Sequence, residues 1–252
     1  MARLTSIVAY LDRYLKLDEI PDYDGAWNGL QMENEGEVRV IAAAVDATLP
    51  VIEDAVKAGA GMLLAHHGLF WEGVRPVRGA FYRKLRLCLV EGLAVYSAHL
   101  PLDVHPRVGN NALLAAALGM TKCEPFLDWK GIQIGLKARV TGSREALVEN
   151  VRAAVGGGAV RVIAGGADRA GMVGVITGGA GGKVAEAAAA GIDTFVTGEG
   201  PHHTAGAAEE LGINVIYAGH YATETFGVRA LADHLAKRFK IRHLFVDHPS
   251  GL

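Results

Sequence analysis

Met62-Leu63-Leu64-Ala65-His66-His67-Gly68-Leu69-Phe70-Trp71 is the stretch whose reading decides the fold. Its apolar start has the length of a buried strand, and Gly59-Ala60-Gly61 punctuates the chain just before it. In an open α/β sheet, function collects at the carboxyl edge of the strands. Here the strand ends directly in two adjacent histidines and a glycine. Neighbouring side chains on a regular strand point to opposite faces. Both rings can therefore serve one site if the chain leaves strand geometry at this point, and Gly68 would help it do so. Two readings stand at this stage: a pair of metal ligands, or two histidines satisfied by the core and the surface.

The flanking chain supplies a sheet for such a strand. Upstream, Leu4, Val8, Leu11 and Leu15 recur at helical spacing among Arg3, Asp12, Arg13 and Lys16, which predicts an amphipathic first helix. Asp24 to Gln31 is expected to be a loop carrying an exposed aromatic, Trp27. Val38–Val45 reads as a buried strand, Asp46-Ala47-Thr48 turns it, and Leu49–Ala58 reads as a helix closed by Gly59. Downstream come a helix over Ala80–Glu91, a strand over Leu93–Ser97 and a helix from Asn110 to Gly119. Strand–helix alternation of this kind predicts a parallel or mixed sheet with helices on its faces.

From Phe126 the texture changes. Ile132, Ile134 and Leu136 alternate with Gln133, Gly135 and Lys137 as in a half-exposed strand, a helix covers Arg144–Ala154, and Val160–Ile163 alternates again. The earlier pattern then returns, with strands over Met172–Thr177 and Thr194–Thr197 and a helix over Lys183–Ala190. Sliding the first half by 132 positions places Gly59 on Gly191, Leu63 on Phe195 and His67 on Glu199. A slide of 121 positions places Val95-Tyr96-Ser97-Ala98-His99 on Ile216-Tyr217-Ala218-Gly219-His220, and Asp103 on Glu224. The expected fold is α/β: two similar α/β units from an internal duplication, mixed sheets flanked by helices, and a metal site in the cleft between them. The alternative is that α/β units simply look alike. Residues 1–125 would form the first domain, with His66, His67 and Asp103. Residues 126–252 would form the second, with His220 and Glu224, and its C-terminal part would pack back on the first.

Composition narrows the function. Half of the 252 residues are hydrophobic and the net charge is −2, which argues against a generally basic nucleic-acid binder. Cys88 and Cys123 are the only cysteines, neither a disulfide framework nor a thiolate zinc set, and they fit a reducing compartment. The first helix lacks the uninterrupted apolar core of a signal peptide, and no apolar run has bilayer length. A soluble cytoplasmic protein without a membrane partner is expected.

The residues that carry chemistry are His66, His67, Asp103, His220 and Glu224, with His99 and Glu199 close to them in register. Imidazole and carboxylate without thiolate favour catalytic zinc, manganese or iron over structural zinc. Five or more such ligands exceed the needs of one tetrahedral ion with an open position and suit two ions roughly 3.5–4 Å apart. Glu224 follows His220 by four residues, so both can face one site where a strand gives way to a helix, with Thr223 as its N-cap. Pro101 disfavours helix at Leu100, which puts Asp103 on an extended loop. His234, His243 and His248 read as ordinary core or surface groups. Gly178-Gly179-Ala180-Gly181-Gly182-Lys183 either offers N–H groups to a phosphate or lets a helix pack closely on the sheet, and it is not a Walker loop. Arg75, Arg78, Arg83, Lys84 and Arg86 either steer a phosphorylated or nucleic-acid substrate, with Phe70 and Trp71 stacking on a base, or form a solvated helix face.

The ordered set His66-His67-Gly68-Leu69-Phe70-Trp71, Ala98-His99-Leu100-Pro101-Leu102-Asp103 with Gly109-Asn110-Asn111, Thr197-Gly198-Glu199 with His203, and Gly219-His220-Tyr221-Ala222-Thr223-Glu224 resembles the NGG-one-interacting-factor-three-like family. Its bacterial members are commonly labelled GTP cyclohydrolase 1 type 2. Trp27-Asn28-Gly29-Leu30-Gln31 and the Gly178–Gly182 loop look like family elements too, and the chain has no room for the extra central domain that some members carry. The resemblance implies a two-domain α/β protein with two divalent ions per chain (iron, manganese or zinc) on His66, His67, Asp103, His220 and Glu224, with Asp103 or Glu224 able to bridge. It also implies a homohexameric ring. His99 and Glu199 are left as catalytic, outer or substrate-facing groups. The expected function is a metal-dependent hydrolase in which metal-activated water opens the ring of a purine nucleotide, with Glu199 or His99 moving protons and Trp71 or Trp27 stacking on the base. The alternatives are a metal-dependent phosphoesterase on nucleotides or nucleic acid, and a non-catalytic ring scaffold or metallochaperone.

Overall fold

The protein is described from a computed structural model, which covers residues 1–71, 73 and 75–251. The chain divides into two units: Met1–Leu102 with Gly227–His248, and Asp103–Phe226 with Pro249–Leu252. The first unit ends at Leu102 rather than at 125, and the C-terminal segment returns to it through the strand described below.

The first unit starts with β1 (Ala2–Arg3) and α1 (Leu4–Leu15). The buried face of α1 is Leu4, Ile7, Leu11 and Leu15, so Ile7 rather than Val8 carries the apolar stripe. Then come β2 (Gly29–Met32), β3 (Glu37–Val38), β4 (Val40–Asp46), α2 (Leu49–Lys57), β5 (Met62–His67), α3 (Gly79–Glu91), β6 (Ala94–Ser97) and the helical turn α4 (Leu100–Asp103). Residues 29–31, expected as loop, are strand: β2 runs antiparallel to β6 along the sheet edge. β4 is apolar from Val40 to Val45 and buried throughout, as a central strand covered on both faces must be. α2 starts at the Thr48 cap, whose Oγ1 accepts from Val51 N, and Gly92 ends α3 in the left-handed region at φ 62°.

The second unit continues through α5 (Asn110–Ala117), β7 (Glu124–Trp129), β8 (Ile132–Ser143), α6 (Arg144–Ala154), β9 (Arg161–Ala164) and β10 (Arg169–Val175). After a 3₁₀ turn over Ala180–Lys183 come α7 (Val184–Ala189), β11 (Thr194–Thr197), α8 (Thr204–Leu211) and β12 (Asn214–Tyr217). Its six-stranded sheet has the order β7-β8-β10-β11-β12-β9. β10, β11 and β12 are parallel and the other pairings are antiparallel.

The last elements are α9 (His220–Phe239) and β13 (Arg242–Phe245). β13 pairs parallel with β4 and completes a five-stranded sheet of order β13-β4-β5-β6-β2, which is why residues 227–248 belong to the first unit. Each unit thus holds three successive parallel strands joined by helices, with an antiparallel strand beside the third, and the first unit adds β13 as a fourth parallel strand. The two slides that match the halves do not carry over into the strand pairing, however. Leu63 pairs with Val95, whereas Phe195 pairs with Val215, one residue before Ile216. Among the described residues, no helix is long and apolar enough to cross a membrane.

Candidate metal centre

In the first unit, both histidines of the opening stretch remain within β5, as its last two residues. The expected departure from strand geometry does not occur before them, yet their ring centroids lie 4.8 Å apart. Gly68 is needed for close approach rather than for turning. A Cβ on it would stand 2.4 Å from Gln31 Oε1 and 2.6 Å from Ser97 Cβ. Gln31 occupies that space because its Oε1 accepts from Leu69 N and its Nε2 donates to Trp27 O.

His99, two residues beyond β6, joins the pair. One ring nitrogen from each of His66, His67 and His99 lies within 4.8 Å of the others. Each ring is held through Nδ1: His66 to Ala98 O at 2.7 Å, His67 to Asp46 Oδ1 at 2.8 Å, His99 to Asp22 Oδ1 at 2.8 Å. An oxygen acceptor at Nδ1 fixes the proton there and makes Nε2 the lone-pair atom, the form in which a neutral imidazole binds a metal. Burial works to raise the Asp22 carboxyl, but His99, Asn28 and Tyr23 N–H hold it below the usual carboxylate range. Trp71 stands edge-on to His99 at 4.5 Å and to His67 at 5.4 Å. Trp71 is 37% exposed, whereas Trp27 is 64% exposed and is tied through its backbone N–H to Phe70 O. Part of the basic cluster is spent on structure. The Arg75 guanidinium covers the Phe81 ring at 3.9 Å, and burial and Arg75 push the Lys84 ammonium down.

In the second unit, His220 is the first residue of α9, so Thr223 is not its N-cap. Thr223 Oγ1 instead donates to His220 O and accepts from Gly178 N. One helical turn brings Glu224 beneath His220, with Nε2 to Oε1 at 3.1 Å, and His220 Nδ1 meets Glu199 Oε1 at 2.8 Å. Burial disfavours the His220 cation, but Glu224 and Glu199 overcome it and push the ring up to about 9. Asp103 is the last residue of the turn α4, not part of an extended loop. Pro101 is tolerated because the first helical turn has no internal acceptor for its missing N–H. Asp103 Oδ1 accepts from Asn110 Nδ2 at 2.8 Å and Thr177 Oγ1 at 3.3 Å.

The glycine-rich loop follows the packing reading. Gly178 lies at φ 70°, and a Cβ there would stand 2.2 Å from Glu224 Oε1. Gly181 N–H is engaged by Glu199 O, and Gly178 O accepts from Gly198 N and Glu199 N. The loop seats Glu224 and Glu199 rather than presenting these N–H groups to an anion.

Each unit by itself offers donors that suit a divalent cation of intermediate hardness: in the first, imidazoles whose Nδ1 rests on an oxygen, and in the second, an imidazole with a buried carboxylate beside it. Sequence reasoning missed Asp22, Asn28 and Asp46. Asp46 ends β4 opposite His67, so the strand-end rule could have found it.

The Duf34/NIF3 (NGG1p interacting factor 3) family matches residues 2–250. A "GTP cyclohydrolase 1 type 2 homolog" of Deinococcus radiodurans is 42% identical over 98% of this chain and 93% of its own length. Another of that name, from Pseudomonas aeruginosa, is 41% identical over 98% of both. Among solved structures, TTHA1606 of Thermus thermophilus aligns with TM-score 0.90 at 39% identity, over 99% of this chain and 100% of its own. The ybgI protein, described as of unknown function, aligns with TM-score 0.92 at 33% identity over the same shares. With a match over nearly its whole length and relatives at about 40% identity, the chain belongs to the Duf34/NIF3 family.

Proposed function

We propose that the protein is a divalent-metal-dependent hydrolase of the GTP cyclohydrolase type, with His66, His67, Asp103, His220 and Glu224 as ligands of two ions. One observation carries the reading: His66 and His67 each rest Nδ1 on an oxygen, which prepares Nε2 for a cation, and His220 is held between Glu199 and Glu224, where a cation would take the place of its Nε2 proton. The relatives' shared name supports a purine nucleotide as the substrate class. Bound ions would lower the pKa of water and so supply hydroxide near neutral pH. The protein's own groups do the rest. Asp46 and Ala98 O orient His67 and His66, and Glu199 orients His220. Trp71 offers an aromatic edge beside His67 and His99 that shields them from bulk water on one side. A homohexamer in the cytoplasm belongs to the same proposal, and the mass of the assembly in solution checks it.

The test is formate release from GTP by protein reconstituted with iron, manganese or zinc, beside His67→Ala and Glu224→Ala. Release by wild type that is lost in both variants is expected. Wild-type turnover no faster than the variants removes the cyclohydrolase reading.

A further inference from the structure

Asp22 lies far from the histidines in sequence, between α1 and β2, and nothing above gives it a role beyond its contact with His99. Its carboxylate nevertheless takes donors from four residues. Oδ1 accepts from Tyr23 N at 2.7 Å and His99 Nδ1 at 2.8 Å. Oδ2 accepts from Asn28 Nδ2 at 2.7 Å and Leu100 N at 3.1 Å, with His99 Nδ1 also at 3.0 Å. Asn28 in turn accepts from the backbone N of His99 at 2.7 Å. The 22–28 loop therefore grips His99 by both its main chain and its ring. Both side chains of the Asp22–His99 pair are buried. A buried carboxylate this fully used is a device for fixing a direction, because each donor removes one way for the ring to turn.

We propose that Asp22 is a positioning residue: seated by Asn28, it holds His99 with the proton on Nδ1, so that Nε2 accepts a hydrogen bond from the water that attacks the substrate. The geometry points to the side of His66 and His67, since the ring centroids lie 5.0 and 5.6 Å from that of His99. The step served rests on the hydrolase reading; the tautomer does not. Asp22→Asn isolates it. With the amide oxygen kept at Oδ2, where Asn28 and Leu100 donate, the NH₂ group replaces Oδ1, the nearer acceptor of His99 Nδ1 and the acceptor of Tyr23 N–H. His99 Nδ1 keeps only the longer contact to Oδ2 and loses the carboxylate charge, so the share of Nε2–H, which cannot accept from water, rises.

Long-range proton–nitrogen correlation spectra of the full-length, histidine-labelled, metal-free protein read the tautomer, with His99→Gln assigning the signal. Wild type is expected to show Nδ1–H and Asp22→Asn to show a raised share of Nε2–H. With zinc-loaded proteins, Asp22→Asn is expected to keep the wild-type zinc content and KM for GTP while formate release falls about 100-fold or more. Nε2–H in wild type, an unchanged tautomer in the variant, or loss of an ion from the variant overturns the inference. The last result would make His99 a ligand. The wild-type spectrum decides the tautomer even if Asp22→Asn does not fold. If wild type releases no formate, the hydrolase reading fails while the spectrum still judges Asp22.

Discussion

Replacing Gly178 by alanine should damage both the stability of the second unit and its capacity for metal. The residue sits at φ 70°, and its added Cβ would lie 2.2 Å from Glu224 Oε1 and 3.3 Å from His220 Nε2. Glu224 is buried, so its carboxylate has no solvent-side rotamer to escape into. A left-handed alanine costs roughly 1 kcal/mol, and relieving the contact costs about 1–2 kcal/mol more, for a total of about 2–3 kcal/mol. In a chain of this size that is a fall in Tm of about 4–12 °C. Gly182, four residues on, is the control, because an added Cβ there meets nothing within 4 Å. Gly182→Ala should stay within about 0.5 kcal/mol of wild type. Thermal unfolding by circular dichroism, with chelator present, measures the stability difference. Zinc uptake by calorimetry then measures the site. If Gly178→Ala melts with wild type and takes up zinc as wild type does, the loop does not seat Glu224 and the packing argument is refuted.

Two other perturbations probe the cores. Asn111 is buried, accepts from Thr177 N at 2.8 Å and donates to Ile134 O at 3.0 Å. Asn111→Ala strands two buried backbone groups and should cost about 2–4 kcal/mol in urea unfolding; a cost below about 1 kcal/mol would contradict those bonds. Burial pushes the Cys88 thiol up to about 11 from an ordinary value of 9.0, against smaller opposing effects of its own backbone bond and Lys84. The unfolded chain therefore loses this proton first. The stabilisation is fully present below pH 9 and is lost as pH rises towards 11. The urea midpoint of wild type relative to Cys88→Ala should fall between pH 8.5 and 10.5, and a constant difference would show that burial does not hold the proton.

Much of this was legible in the chain. The apolar runs at 40–45, 62–65 and 194–197 are strands because both faces are covered, and Ser143 caps α6 where the pattern starts it. Local rules failed where distant segments decide. Gly29–Met32 has no strand periodicity but finds an open edge at β6. Pro101 suggested extended chain, yet it sits in the first turn of a helix where its missing N–H is harmless. The C-terminal part reads as returning to the first unit, but the strand by which it does so, β13 beside β4, carries no signal in spacing. The histidines and Glu224 were found because imidazole and carboxylate groups gather in the sequence where apolar runs end, His66 and His67 at the end of β5 and His220 and Glu224 just after β12. Asp22 escaped because a carboxylate in an irregular loop carries no local signal, and what identifies it is the set of donors that folding delivers.

The central claim is that the imidazoles and carboxylates assembled in the two units are metal ligands. Elemental analysis of protein purified without chelator or nickel affinity tests it most directly. The account predicts about two ions of iron, manganese or zinc per chain, with metal lost in His67→Ala. No bound metal, and no uptake of any of the three on reconstitution, would contradict it and leave His66, His67 and His220 as hydrogen-bonded structural groups.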